Sequence, residues 1–522
     1  MNVKDTNSKI LLKDQKNKVN EIQTQSAAKL SGDSTKRKFD KKLFFKWAIR
    51  VFIVLVVLGG GFYAYKVLSF TNAIGLKIRP EDLLSSFKEE PELKKDSSGK
   101  YTNVLLVGID SRGEKSTLRN TDSMIIASYN YETGNTVMYS VPRDLYVPFP
   151  DNPSYYQKIN AMYASGENKK KGGGLEYLEK TLKSITGLEV QYHAMIDLQG
   201  FKKIIDTLGG ITVNVENSFT DDCYPVDGTQ KITYYCGLIN GKAQTITFKA
   251  GPQTMNGTIA LQYARSRHSS DNGEGTDFAR GRRQQRVIAA IKDKFLTTET
   301  LLNPQKILET MDALEKNLIV TEFTTEDIQA AVNLANKQKE NPGKVFSFVL
   351  DPSIGAGKVL KGGNGLRCNL PGFCPNPSNP PYSVQSVAGT YPTYTELLTL
   401  VQLIQLDPQL YKEDAIIRVY DTGIGYIKAK TKTEELQKKY PYLNILFFGT
   451  LRSDKEGNIV YGSNSTDFVY TVDMLAKYFQ TENKTKPDFI TSNLYGEDLV
   501  VLLGKEVVKV EAAPQTDNQT TK

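Results

Sequence analysis

Residues 51–65 read VFIVLVVLGGGFYAY, a run without a single charge, and they follow directly on the basic stretch TKRKFDKKLFFKWAIR at 35–50. An apolar run of this length restricts the fold more than any other feature, because it must leave water for a bilayer or a core. Lys66 interrupts it, but a lysine stem can carry its ammonium to the interface, and apolar character resumes as far as Phe70. Leu43 to Phe70 is therefore long enough to cross a membrane. A buried core helix needs no such basic lead, and the lead is longer than that of an ordinary cleaved signal peptide. The excess of Lys and Arg on one side sets the direction. The expectation is a single-pass protein of the cell membrane, with a cytoplasmic N-terminus, membrane lipid as a partner and the bulk of the chain extracytoplasmic.

Charge supports that division. The formal net charge is +8, and residues 1–50 alone carry 13 basic against 5 acidic residues, which leaves the remainder balanced. No basic field covers the folded part, so no nucleic-acid partner is expected. The basic tail suits the anionic lipid of the inner leaflet. Composition divides the chain into a disordered tail (1–42), the membrane helix (43–70), a juxtamembrane stalk (71–100), a first folded domain (101–360), a linker (361–412), a second domain (413–506) and a disordered end (507–522).

An exported chain permits disulfides. Cys223 and Cys236 lie close in sequence, as do Cys368 and Cys374, and these two local pairs are the expected bridges. Zinc is the rival, but CxxC spacing is missing and His193 and His268 are the two histidines of the chain.

TNVLLVGID (102–110) is an apolar run closing on a turn, as a buried strand does. DSMIIASYN (122–130) and TVMYSVPRD (136–144) read as further strands joined by YETGN. LQGFKKIIDTLGG (198–210) sets Phe201, Ile204, Ile205 and Leu208 on one helical face before the strand ITVNV. Strands alternating with helices predict an α/β/α-type sandwich around a central mixed sheet, and a smaller α/β domain follows over 413–506.

Between Arg265 and Arg286 stand six arginines and no lysine, in a chain with 15 Arg and 51 Lys. An ordinary solvated face would keep the chain's own ratio. Arginine presents a planar fork that meets phosphate oxygens two at a time, whereas lysine is a point charge. Thr276 is placed to cap a helix from Asp277, with Phe278, Ile288, Ile291 and Phe295 as its buried stripe. Arg280, Arg283 and Gln284 then fall in the first turns, where free N–H groups favour an anion. Asp110 and Asp122 end one strand and begin the next, which suits either a Mg²⁺ ion shared with phosphate oxygens or ordinary turn formation.

In order, LLVGIDSRG, TDSMI, YSVPRDLYVPFP, KINAMYASG, GFKKIIDTLGGITVNV, GPQTMNGTIALQYARSRH and DFARGRRQQRVIAAI resemble the LytR–CpsA–Psr family from about residue 102 to 295 and on towards 360. Residues 413–506 weakly resemble the C-terminal domain often appended in it. The resemblance implies a membrane-anchored phosphotransferase outside the cytoplasm. It would move a glycopolymer from a polyprenyl-pyrophosphate carrier to peptidoglycan through a phosphodiester. Carried over by motif, Asp110 and Asp122 bind Mg²⁺. Arg143, Arg265, Arg267, Arg280 and Gln284 hold the pyrophosphate, with Arg283 and Asp277 as further candidates. The family's RSD pattern is altered here: Asn120 stands where an arginine is usual, with Arg119 beside it and Arg112 nearby as substitutes. That departure keeps a second reading open, a non-catalytic polyprenyl-phosphate-binding anchor or regulatory protein of the cell envelope.

Overall fold

The computed structural model describes residues 91–109, 120–226, 243–295, 318–321, 324–357, 359–361, 383–384, 394–462, 467–491 and 496–506. The chain divides into two compact units, Met1–Val67 and Leu68–Lys522, and every described residue belongs to the second. The expected membrane helix lies outside the described residues; among them, no helix is long and apolar enough to cross a membrane.

Strands β1 (Tyr101–Ile109), β2 (Thr121–Asn130) and β3 (Thr136–Ser140) form an antiparallel meander. A hairpin of β4 (Tyr146–Phe149) and β5 (Asn152–Lys158) precedes helices α1 (Met162–Lys169) and α2 (Gly174–Thr186). Strand β6 (Tyr192–Asp197) pairs parallel with β1. Helix α3 (Leu198–Thr207) follows, with the Asp197 carboxylate capping it through the Gly200 N–H. Two further ladders join β7 (Ile211–Val215) to β10 (Gly251–Met255) and β8 (Phe219–Pro225) to β9 (Ala243–Phe248). Helices α4 (Gly257–Arg265) and α5 (Asp277–Phe295), strand β11 (Leu318–Val320), helix α6 (Thr325–Glu340) and strand β12 (Val345–Val349) complete the first domain. The central sheet runs β11-β6-β1-β2-β3-β12 and mixes parallel with antiparallel pairs, as its alternating elements predicted.

Strand periodicity decides what each face of this sheet meets. In β1, Leu105, Val107 and Ile109 enter the main core with Leu178 and Leu182 of α2, and Leu106 and Gly108 on the other face line a cavity that Val107 and Ile109 also border. A second core of Ile205, Val213, Phe219, Phe248, Tyr263 and Val287 ties α3, α4 and α5 to the two ladders. The cavity lies between these helices and the sheet.

After short β13 (Leu360–Lys361) and β14 (Ser383–Val384) come α7 (Thr395–Leu406) and α8 (Pro408–Glu413). The second domain contains β15 (Ile416–Asp421), α9 (Tyr426–Lys439), β16 (Asn444–Thr450), β17 (Asn458–Gly462), α10 (Val469–Tyr478) and β18 (Leu499–Leu503), in the sheet order β16-β15-β18-β17. Strand β17 was not anticipated. The stretch 361–412, expected as linker, ends in two helices. Leu397, Leu400, Val401 and Ile404 of α7 are fully buried in the same core as β1, and Tyr139 donates to the Val401 carbonyl. The Gly/Pro/Asn-rich composition that suggests a linker stops well before α7 begins.

Candidate functional site at the mouth of an apolar cavity

The β1–β2 ladder carries a register shift: Gly108 pairs with Ser123 but Ile109 pairs with Thr121, so Asp122 is the extra residue of a bulge. A bulge re-aims its side chain, and Asp122 lines the cavity. Its Oδ1 accepts from Arg143 Nη1 at 2.9 Å. Arg143 follows β3, and its Nε lies 3.5 Å from Asp277 and 3.6 Å from Asp144. Burial works against the charge on Arg143, yet Asp277, Asp122 and Asp144 outweigh it and hold its pKa above the ordinary value.

Two helix ends supply the remaining groups. Helix α4 begins under an Asn256 cap and ends at Arg265, and an extended segment carries Ser266, Arg267 and His268. Helix α5 starts as expected: Thr276 Oγ1 accepts the Ala279 N–H at 3.1 Å. Asp277 and Arg280 pair at 3.0 Å in its first turn. Burial raises the Asp277 pKa, but Arg280, Arg143 and Arg267 together pull it below the ordinary carboxylate value. Burial pulls Arg280 down to about 10 despite Asp277. Burial and then Arg143 lower Arg267. Burial disfavours the charge on Arg267 and Arg280, and a bound polyanion would favour it. Gln284 spans two elements, accepting from Ser123 Oγ at 2.8 Å and donating to the Ala264 carbonyl at 3.3 Å.

The cavity behind these groups has a volume of about 920 Å³. Its polar lining gathers Asp122, Arg143, Arg265, Arg267, Arg280 and Gln284, with Asp221 and His268 beside Arg267. Its interior is apolar, with Leu106, Ile125 and Ile196 from the sheet, Phe201 and Ile204 from α3, and Val287, Ile288 and Ile291 from α5. A pocket of this kind suits an amphipathic molecule with a highly charged head and a long hydrocarbon body.

Arg283 departs from the expectation of a phosphate contact. Its side chain is fully buried and pairs with Glu274. It also donates to the carbonyls of Tyr263, Ser266 and Glu274. Every arm of the guanidinium is engaged by protein, and the residue does not line the cavity. The buried stripe of α5 is also shifted: Ala279, Arg283, Val287 and Ala290 are buried, Ile291 packs on the second core and lines the cavity with Val287 and Ile288, and Phe278 is half-buried. Asp277 touches Arg143 and Arg280 without lining the cavity. Asn120 is half-buried and outside the lining. Asp110, Arg112 and Arg119 lie outside the described residues, as do Cys236, Cys368 and Cys374; Cys223 is disulfide-bonded.

Sequence reasoning misses Asp144 and Asp221 and gives His268 no part in the site. Asp144 is buried beside Arg143 and pairs with Lys158 at 2.9 Å. His268 lines the mouth, and its pKa is lowered by burial and Arg267 although Asp221 opposes them. Asp221 is wholly buried on β8 and accepts the N–H groups of Arg267 and His268. TDDCYP offers two adjacent aspartates, and only the pleat of β8 decides which one turns inward.

The LytR_cpsA_psr family profile matches residues 76–348. The chain belongs to the LytR_cpsA_psr family. Among curated members, the polyisoprenyl-teichoic acid–peptidoglycan teichoic acid transferase TagU of Bacillus licheniformis is 30% identical over 316 residues, 60% of this chain and 88% of that one. Regulatory protein MsrR of Staphylococcus aureus is 31% identical over 208 residues, 39% of this chain and 52% of that one. The crystal structure of B. subtilis TagV aligns with 59% of this chain and 96% of its own at 21% identity, with a TM-score of 0.38. The family match spans the central sheet up to Phe348, including the cavity and its arginine mouth.

Proposed function

We propose that this LytR_cpsA_psr member is a membrane-anchored, extracytoplasmic, Mg²⁺-dependent phosphotransferase. It takes a glycopolymer from a polyprenyl-pyrophosphate carrier and attaches it to peptidoglycan. The observation that carries the reading is the pairing of an apolar cavity of about 920 Å³ with a mouth rich in arginine. The prenyl chain would fill the interior and the pyrophosphate would rest among Arg143, Arg265, Arg267 and Arg280. The TagU relative is named as a transferase of teichoic acid to peptidoglycan, which supports this class of reaction.

The acceptor sugar hydroxyl attacks the phosphorus that bears the glycopolymer. A new P–O bond forms, the bond from that phosphorus to the bridging oxygen breaks, and polyprenyl phosphate departs. The hydroxyl proton passes to a base or to solvent. The arginines orient the two phosphates in line and stabilise charge on the leaving oxygen. Mg²⁺ commonly takes one or two carboxylates plus phosphate oxygens; Asp122, which lines the cavity and is paired with Arg143, would hold it together with Asp110. When bound, Mg²⁺ would neutralise phosphate charge.

The test supplies the full chain in detergent with a polyprenyl-pyrophosphate glycan, a peptidoglycan acceptor and Mg²⁺. The reading requires release of polyprenyl phosphate that depends on acceptor and stops on chelation. Binding without acceptor-dependent release favours the non-catalytic anchor.

A further inference from the structure

Ser266 stands between two arginines of the cavity mouth, yet its own side chain is turned into the protein and the residue is 1% exposed. Helix α4 ends at Arg265, and the backbone continues extended at Ser266 (φ −53°, ψ 141°). Arg265 and Arg267 line the cavity, while the Ser266 hydroxyl is taken up by Asp221.

Two buried charges meet Ser266 there. Its hydroxyl donates to Asp221 Oδ2 at 2.6 Å, and the same oxygen accepts the N–H groups of Arg267 at 3.1 Å and His268 at 3.2 Å. Arg283 Nη2 donates to the Ser266 carbonyl. Both charges are themselves anchored: Asp221 Oδ1 accepts the Cys223 N–H at 3.0 Å, and Arg283 is paired with buried Glu274. Charged hydrogen bonds shielded from water hold their geometry well.

The geometry points to Asp221 and Arg283 as positioning residues that clamp Ser266 by its hydroxyl and its carbonyl and so fix Arg265 and Arg267 to receive a pyrophosphate. This rests on the reading of the mouth as a pyrophosphate site. It also gives Arg283 a reason to be arginine, because lysine has no fork to serve three carbonyls and a carboxylate together.

A double-mutant cycle tests the clamp. Affinity of the full chain in detergent micelles for farnesyl pyrophosphate is measured by calorimetry. Ser266→Ala and Asp221→Asn are each made in the wild-type and in the Arg267→Ala background. Ser266→Ala leaves every buried charge paired, so it carries the test should Asp221→Asn fail to fold. Positioning through Arg267 predicts roughly a 10-fold loss for Ser266→Ala in the wild type and no more than about threefold once Arg267 is absent. Equal losses in both backgrounds, or no loss in the first, overturn the clamp. Coupled losses in a chain that shows no acceptor-dependent transfer leave the clamp standing and reject the transferase. A wild-type chain that does not bind farnesyl pyrophosphate rejects both.

Discussion

Glu274 and Arg283 form an ion pair that water does not reach, with side chains 3% and 0% exposed. Removing one partner of such a pair leaves the other buried and uncompensated. Glu274→Ala should lower the unfolding free energy by roughly 3–5 kcal/mol. Arg283→Lys should also destabilise, because three carbonyls and a carboxylate lose their fork. Urea midpoints for the two variants check this; an unchanged midpoint in both contradicts it.

Asp221 makes the acid limb of stability steeper. Burial raises its pKa, but Ser266 and the N–H groups of His268, Cys223 and Arg267 together hold it below 3.8. Between the native and unfolded values the unfolded chain binds the extra proton. The contribution is therefore complete above about pH 4 and is lost as pH falls through the native value. Urea midpoints between pH 7 and pH 3 should fall less steeply in Asp221→Asn than in the wild type. Parallel curves would show that the carboxylate carries no such linkage.

Much of this architecture was legible because its strands are buried on two faces and read as apolar runs. TNVLLVGID and DSMIIASYN gave away β1 and β2, and Thr276 marked the start of α5. The stripe of α5 was misread for a physical reason. Periodicity sends every apolar residue to one core, but this helix has a core side and a cavity side; Ile288 lines the cavity, and Val287 and Ile291 border both. The arginine run was legible as unusual, but not as divided labour. Arg265, Arg267 and Arg280 face the cavity, Arg283 is a buried brace, and Arg286 pairs with Glu216. Composition cannot separate these roles, because a guanidinium serves carbonyls as well as phosphates. The helix α7 was hidden by the Gly- and Pro-rich stretch before it.

The disulfide at Cys223 should join Cys236. Peptide mass spectrometry without reduction should find that link in exported protein. A local bridge of this kind contributes about 3 kcal/mol, so Cys223→Ser should unfold earlier. A free Cys236 thiol contradicts the pairing.

Topology follows from the basic lead and apolar run at 35–65. A reporter fused after Lys100 should be active outside the cytoplasm and silent within it. Cytoplasmic activity contradicts the extracytoplasmic site and its lipid carrier together.

The proposed transfer requires arginine forks at the cavity mouth to hold the pyrophosphate. The most direct measurement is acceptor-dependent release of polyprenyl phosphate by Arg265→Lys and Arg265→Ala beside the wild type. Losing a bidentate phosphate contact should cost roughly 10²-fold in rate, and lysine should restore little because it keeps the charge without the fork. Turnover by Arg265→Lys equal to that of the wild type would contradict the claim.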